Sequence, residues 1–249
     1  MKHLISMHDV SEKDIIGLIG LATKIKKSPS KYKNKLKGKI LLMLFAKPSL
    51  RTLLSFDIAM LKMGGDAIFY AISRSPLGKK ESIKDFSLVT SRYVNAIMAR
   101  LFNHKDMEEL ARYSKVPVIS GLDNDEHPCQ ILGDFLTIKE KFGKLSNLKI
   151  TYLGDGNNNV THSLIMGCSK LDLSLTISCP NNKEFLPNNS IIGKAKYQYE
   201  PNPSKAVKDA NIIYTDSWMS YHIPDSQRER RIKILKPYQV NKKLFEINK

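Results

Sequence analysis

Cysteine is scarce in this chain of 249 residues: only Cys129, Cys168 and Cys179 occur, none in paired or C-x-x-C spacing. An odd, scattered set excludes a disulfide framework and a cysteine zinc site, and reads as small packing residues in a reducing compartment. Long apolar runs are missing too, since none approaches the roughly 18 residues that a membrane span needs. The start, Met1-Lys2-His3-Leu4-Ile5, passes at once into Asp9, Ser11, Glu12, Lys13 and Asp14. It lacks the apolar core and small-residue cleavage site of a secretory signal. A cytoplasmic protein with no membrane partner is therefore expected. Internal repeats and low-complexity tracts are also absent, and with 42% hydrophobic residues the chain can bury a core, which excludes disorder.

Acidic residues are in the minority, 24 Asp and Glu against 40 Lys and Arg, for a formal net charge of +16. A basic balance favours anionic partners: nucleic acid, membrane surfaces or phosphorylated metabolites. Clustering decides between them. Lys24, Lys26, Lys27, Lys31, Lys33, Lys35, Lys37 and Lys39 form the densest run, and Arg228, Arg230, Arg231 and Lys233 a second. Neither is interleaved with aromatics as a single-strand platform would be. Both read as solvated surface, and nucleic acid is not the expected partner.

What is present is a strand and helix alternation. Ser11-Glu12-Lys13-Asp14 resembles a capping box, and Ile15, Leu18, Ile19, Ala22 and Ile25 follow at helical spacing. Ile40 to Phe45 reads as a buried strand, and Leu54, Ile58, Ala59 and Leu61 as a helix ending near Gly64-Gly65. Strands are expected at Ala96–Ala99, Val116–Ile119, Lys149–Leu153, Ser174–Ser178 and Asn211–Thr215. Helices are expected at Met107–Tyr113, Ile131–Phe142 and Thr161–Ser169. Such alternation implies an α/β fold with parallel sheets covered on both faces. A fresh strand, turn and helix after Gly143 divides the chain into two doubly wound domains, 1–143 and 144–249.

Four stretches carry chemistry. Lys47-Pro48-Ser49-Leu50-Arg51-Thr52 lies between a strand and a helix, where unpaired N–H groups and the positive dipole end suit a phosphate. Ser49 and Thr52 add hydroxyls and Arg51 a planar cation with several donors. His127-Pro128-Cys129-Gln130 precedes a helix, so that His127 and Gln130 can face one ligand. Gly154-Asp155-Gly156-Asn157-Asn158-Asn159 follows a strand but lacks G-x-G-x-x-G, which argues against a dinucleotide. It offers amide side chains at a sheet's carboxyl end, where open α/β sheets place ligands. Thr215 to Ser220 adds a carboxylate and hydroxyls at the same edge, as a zwitterionic amino-acid substrate requires.

In this order the stretches resemble the ornithine carbamoyltransferases of the aspartate/ornithine carbamoyltransferase family. Lys47 to Asp57 is similar to the family's K-P-S-x-R-T-R-x-S-F segment, and Leu77 to Asp85 to its swinging loop. Ala96 to Arg100 resembles its strand ending in arginine. His127 to Asp134, Gly154 to Ser163 and Lys236-Pro237-Tyr238-Gln239-Val240-Asn241 resemble three further segments. The resemblance implies transfer of the carbamoyl group from carbamoyl phosphate to the δ-amine of L-ornithine, giving citrulline and phosphate in arginine metabolism, with no metal or organic cofactor. It implies that Ser49, Leu50 through its N–H, Arg51, Thr52, Arg100, His127 and Gln130 hold carbamoyl phosphate. Arg51 and His127 stabilise the developing charge. Asn159, Asp216, Ser220 and Tyr221 are implied to meet ornithine, and a homotrimer or multiple of trimers is expected.

The chain also departs from the family pattern. Leu53 stands where a second arginine is usual, and its effect is expected to be structural. Pro76 replaces a glutamine that reaches the phosphate from a neighbouring subunit, and proline has no donor. Tyr221 replaces the methionine of S-M-G, and Pro187 to Pro203 is shorter than its counterpart. After K-P-Y-Q-V-N the family continues to H-C-L-P, a further arginine and a closing helix, and the 249 residues stop before them. Weak or no turnover and an exposed apolar face on the first domain are the expectation. Aspartate or a modified ornithine stands as the alternative acceptor. A non-catalytic basic scaffold that binds nucleic acid or partner subunits is the alternative outside the enzymes, and would bind random DNA with steep salt dependence.

Overall fold

Most helices begin where the sequence supplies an oxygen for otherwise unpaired N–H groups. In the computed structural model, which describes residues 2–72, 81–220 and 223–247, α1 (Glu12–Lys27) opens on a full capping box. Asp14 N–H donates to Ser11 Oγ at 3.2 Å and Ser11 N–H to Asp14 Oδ2 at 3.1 Å. The same logic starts α2 (Leu50–Lys62) at Ser49, α3 (Ile83–Thr90) at Ser82 and α6 (Asn159–Lys170) at Asn158. The remaining longer helices are α4 (His104–Tyr113), α5 (Pro128–Phe142) and α9 (Arg228–Leu235). α7 (Asn189–Ile192), α8 (Pro203–Ala206) and α10 (Lys242–Ile247) are short.

The chain forms two compact units, Met1–Leu136 and Thr137–Lys249. The first holds a parallel sheet in the order β2-β1-β3-β4, made of β1 (Ile40–Phe45), β2 (Asp66–Ala71), β3 (Ala96–Arg100) and β4 (Val118–Leu122). Alternation explains why β1 is apolar throughout. Leu42 and Leu44 join Ile97, Ala99, Phe86, Met107 and Leu110 on one face; Leu41, Met43 and Phe45 join Met98 on the other, under Leu53, Phe56 and Met60 of α2. Leu53 therefore has a packing role, as expected from the sequence. The outer edge of β4 is covered by Leu4, whose N–H donates to Val118 O at 2.8 Å and whose carbonyl accepts from Ser120 N–H at 2.7 Å.

Three differences from the sequence reading have physical causes. β4 starts at Val118, not Val116, because Pro117 has no N–H to give the ladder; its carbonyl alone pairs, with Ile97 N–H. β2 goes unread because its Ile68 and Phe69 are half exposed, so its apolar residues do not alternate as a half-buried strand's would. α3 is a short helix at the end of the Leu77–Asp85 stretch, of which Leu77 to Lys80 lie outside the described residues.

The second unit holds a parallel sheet in the order β7-β6-β5-β8, made of β5 (Lys149–Leu153), β6 (Ser174–Ser178), β7 (Gln198–Tyr199) and β8 (Ile212–Tyr214). Helix α6 is buried from Val160 to Cys168 on all its faces, so it runs through the interior of this unit. In both sheets the chain builds outward from one strand, then returns to that strand's other side. The reversal falls between β1 and β3 in the first unit, and between β5 and β8 in the second. Open α/β sheets bind ligands in the crevice at the carboxyl ends of the strands flanking such a switch.

Candidate active site

The loop after β1 and the last residue of β3 meet at the first unit's switch point. Ser49 caps α2: its Oγ accepts from Thr52 N–H at 3.4 Å and lies 3.1 Å from Thr52 Oγ1. Arg100, buried at the end of β3, donates from Nη1 to the same Thr52 Oγ1 at 3.4 Å. Two hydroxyls and a guanidinium thus converge on a helix N-terminus. Leu50 and Arg51 occupy its first turn, and both are exposed. Leu50's apolar side chain is the part in solvent, while its N–H belongs to the unpaired set at the helix start. Gly121 of β4 makes room for this arrangement. A Cβ there would meet Met98 Sδ at 2.7 Å and Thr52 Cγ2 at 3.4 Å.

His127 immediately precedes α5. Burial, reinforced by the positive charge of Arg100, pulls its imidazole down to about 4, so it is neutral at neutral pH and able to donate through one nitrogen. Gln130, one turn into the helix, is exposed, and its amide donates to Asp134 Oδ1 at 3.0 Å. The segment leading to His127 is held by residues that the sequence did not mark out. Asp123 is buried, with Oδ2 2.8 Å from His104 Nδ1 and Oδ1 accepting from Asp125 N–H at 2.9 Å and Glu126 N–H at 2.8 Å. Glu126 accepts from Ser6 Oγ at 2.5 Å and Met7 N–H at 2.7 Å. Lys47, buried beside the phosphate loop, donates to Asn124 Oδ1 at 2.5 Å and lies 4.8 Å from the centre of the Phe102 ring. Desolvation first, and Arg100 second, bring its ammonium down to about 8. The sequence signal for Lys47 is only its place at the head of the Lys47–Thr52 stretch. For the His104–Asp123 pair there is none, because the two residues are 19 apart on separate elements.

In the second unit the expected acceptor residues also stand at the switch point. Asn159 is the first residue of α6, and the turn before it is closed by Asn158, which accepts from Thr161 N–H at 2.9 Å and donates to Tyr152 Oη at 2.9 Å. Asp216 and Ser220 lie on the loop after β8. Tyr221 lies outside the described residues, as does Pro76. Asp216 lines a cleft of about 380 Å³ with Thr215, Ser217, Trp218, Met219, Arg228, Ile232, Gln239 and Val240. Neither Asn159 nor Ser220 lines it. The loop is anchored where Thr215 Oγ1 donates to Leu153 O at 2.9 Å, and the Trp218 indole packs beside Gly154, whose φ of +130° a residue with a side chain adopts only under strain. The two basic runs part company here. All eight lysines from Lys24 to Lys39 are exposed, as expected, but Arg231 of the second run is buried. Its spacing to Leu235, one turn apart on the inner face of α9, is the signal that could have found it.

Comparison with known proteins matches both halves. Residues 2–140 match the carbamoyl-P binding domain of the aspartate/ornithine carbamoyltransferases, and residues 146–249 their Asp/Orn binding domain. The chain belongs to this family. An ornithine carbamoyltransferase of Methanocaldococcus jannaschii is 42% identical over 99% of this carbamoyltransferase and 83% of its own length. An anabolic ornithine carbamoyltransferase of Pyrococcus furiosus is 41% identical, over 98% and 80%. Among solved structures, the Pyrococcus furiosus enzyme superposes on the carbamoyltransferase with a TM-score of 0.93 at 39% identity, covering 100% of this chain and 82% of that one. The ornithine transcarbamoylase of Giardia lamblia does so with a TM-score of 0.88 at 34% identity, covering 99% and 81%. The two α/β units with parallel sheets are those of the carbamoyltransferase fold. Among the described residues no helix is long and apolar enough to cross a membrane.

Proposed function

We propose that this enzyme transfers the carbamoyl group of carbamoyl phosphate to the δ-amine of L-ornithine, releasing citrulline and phosphate. The observation that carries the reading is the convergence of Ser49, Thr52 and Arg100 on the N-terminus of α2, a donor set suited to a phosphate. The relatives named above, alike along nearly the whole chain, support ornithine as acceptor. Residues 1–143 bind the donor and 144–249 the acceptor.

In this reading Ser49, Thr52, the Leu50 N–H and Arg51 hold the phosphate. Arg100 and His127 face the carbamoyl oxygen, and Gln130 takes the carbamoyl amide once it leaves Asp134. The unprotonated δ-amine attacks the carbonyl carbon and the oxygen gains negative charge. Arg51, Arg100 and the neutral His127 stabilise that charge; the C–O bond to phosphate then breaks, and the attacking nitrogen's extra proton leaves on the phosphate. A neutral imidazole suits this role, since it donates a hydrogen bond without adding a third cation beside Arg100. Asp216 meets the substrate's α-ammonium, while Asn159, Ser220 and Tyr221 complete its amino-acid end. Catalysis is positioning and charge stabilisation, without a metal or organic cofactor.

The enzyme works as a homotrimer or a multiple of trimers. Support comes from an apolar stripe on α2, where Leu50, Leu54, Ile58 and Leu61 recur at helical spacing while 69%, 44%, 42% and 59% exposed. Beside it lies the edge strand β2, with Ile68 and Phe69 half exposed. A second copy covers this face, which begins at the phosphate loop itself.

The test supplies labelled carbamoyl phosphate with L-ornithine or L-aspartate and separates the products. Citrulline is expected. Carbamoylaspartate in its place overturns the reading.

A further inference from the structure

Arg231 belongs to none of the substrate-contacting sets, yet it is 3% exposed and engages groups from three other segments of the second unit. Its Nη2 donates to Asp155 Oδ2, its Nε to the Trp218 carbonyl at 3.0 Å, and its Nη1 to Glu184 Oε1 at 3.3 Å. The guanidinium carbon lies 5.0 Å from the centre of the Phe185 ring. Asp155 in turn shapes the turn before α6: its Oδ1 accepts from Asn157 N–H at 2.9 Å, and its carbonyl accepts from Asn158 Nδ2 and from Thr161 Oγ1 at 3.2 Å. The Trp218 carbonyl is the midpoint of the segment between Asp216 and Ser220.

We propose that Arg231 is a positioning residue for the acceptor: one guanidinium fixes the turn that leads into Asn159 and the loop that bears Asp216 and Ser220, and so sets their mutual placement. This rests on the reading that these residues bind ornithine. The planar fork is what suits the task, because three acceptors in different directions are met by donors at fixed angles. A lysine would keep the charge opposite Asp155 but lose the bond to the Trp218 carbonyl. Arg230, by contrast, pairs with Glu184 alone among the described residues, at 2.9 and 2.5 Å, and is half exposed.

The tie is sensitive to pH. Burial holds the Asp155 carboxyl up at about 6, with the Arg231 guanidinium opposing that rise. The other titratable groups facing Asp155 are Glu184, Cys179 at the end of β6 and Tyr152 of β5. Below that pH Asp155 is neutral, and Arg231 loses the buried one of its two counter-charges, keeping Glu184.

The experiment uses Trp218, the chain's single tryptophan, as the reporter. Wild type, Arg231→Gln, Arg231→Lys, Asp155→Asn and Arg230→Gln are compared by emission, acrylamide quenching and steady-state kinetics. In Arg231→Gln and Asp155→Asn, Trp218 becomes more quenchable, and the ornithine KM rises on the order of 10–100-fold while the carbamoyl phosphate KM is unchanged. Arg231→Lys recovers thermal stability but not the ornithine KM, a split that a merely structural role would not produce. Arg230→Gln behaves as wild type. Wild-type Trp218 emission titrates near pH 6 and the Asp155→Asn emission does not, a comparison that survives even if Arg231→Gln fails to fold. Wild-type emission and wild-type ornithine KM in Asp155→Asn and Arg231→Lys overturn the proposal. A wild type whose Trp218 signal is blind to ornithine, and which makes no citrulline, while the variants still differ in quenching, instead overturns the acceptor reading on which the proposal rests.

Discussion

Replacing His104 by Gln removes a charge whose effect on stability has a definite sign and pH window. His104 Nδ1 sits 2.8 Å from Asp123 Oδ2, and the side chains are 19% and 0% exposed, so little solvent screens the pair. The hydrogen bond to Asp123 raises the imidazole from 6.5 to about 9; burial opposes, while Asp123, Glu126 and Glu108 add their charges in support. The folded state therefore keeps a proton that the unfolded chain gives up. This stabilisation is complete below pH 6.5 and is lost as pH rises through 9. At about 1.4 kcal/mol per tenfold, a rise of this size corresponds to about 3 kcal/mol. Lys47 works in the opposite sense, because its folded-state value of about 8 lies below the unfolded 10.5, so its contribution rises with pH above 8. Referencing each pH to His104→Gln cancels the Lys47 term. Urea unfolding followed by far-UV circular dichroism, at intervals from pH 6 to 10, should show the wild-type advantage over His104→Gln shrinking by about 3 kcal/mol. Most of that loss falls between pH 6.5 and 9. Gln retains a neutral donor toward Asp123, so a residual difference above pH 9.5 is packing alone. An advantage that stays level across the window would refute the reasoning.

Three further outcomes are expected. His127→Ala removes a donor aimed at the developing oxyanion, and kcat should fall on the order of 10²–10³ with the fold intact by circular dichroism. Asp216→Asn should raise the ornithine KM with little change in that for carbamoyl phosphate, because the carboxylate that meets the α-ammonium is lost while the first unit is untouched. Gly121→Ala drives a Cβ to 2.7 Å from Met98 Sδ; unfolding should show a loss of about 1–3 kcal/mol, accompanied by weaker carbamoyl phosphate binding as Thr52 shifts.

Several features were legible because they are local. Ser49 and Thr52 are three residues apart, so a cap on α2 follows from spacing alone, and the apolar run of β1 announces a strand covered on both faces. Residue types alone marked His127, Gln130, the amides ending at Asn159 and the carboxylate and hydroxyls of Thr215 to Ser220 as ligand-facing; the resemblance added Arg100 and implied which substrate each residue meets. Other features were not legible because they join distant segments. Lys47 and Asn124 are 77 positions apart and Arg231 and Asp155 are 76 apart. In the sequence both look like surface lysine or arginine, since a charged residue is rarely buried unless a partner arrives from elsewhere. β2 was missed for the converse reason, as an edge strand carries exposed apolar residues that no alternation organises.

The sequence by itself determined the alternation of the central strands and longer helices, caps such as Ser11 and Ser49, and the motifs at the strand ends. These depend on periodicity and on hydrogen bonds within a few residues. Only the tertiary structure decided which strand ends are neighbours. Each sheet reverses direction beside its first strand, which brings the loop after β1 to Arg100 of β3 and the turn after β5 beside the loop after β8. The tertiary structure also decided which charges are buried. Lys47, Asp123, Asp155 and Arg231 can leave water only where folding delivers their counter-charges and hydrogen-bond partners.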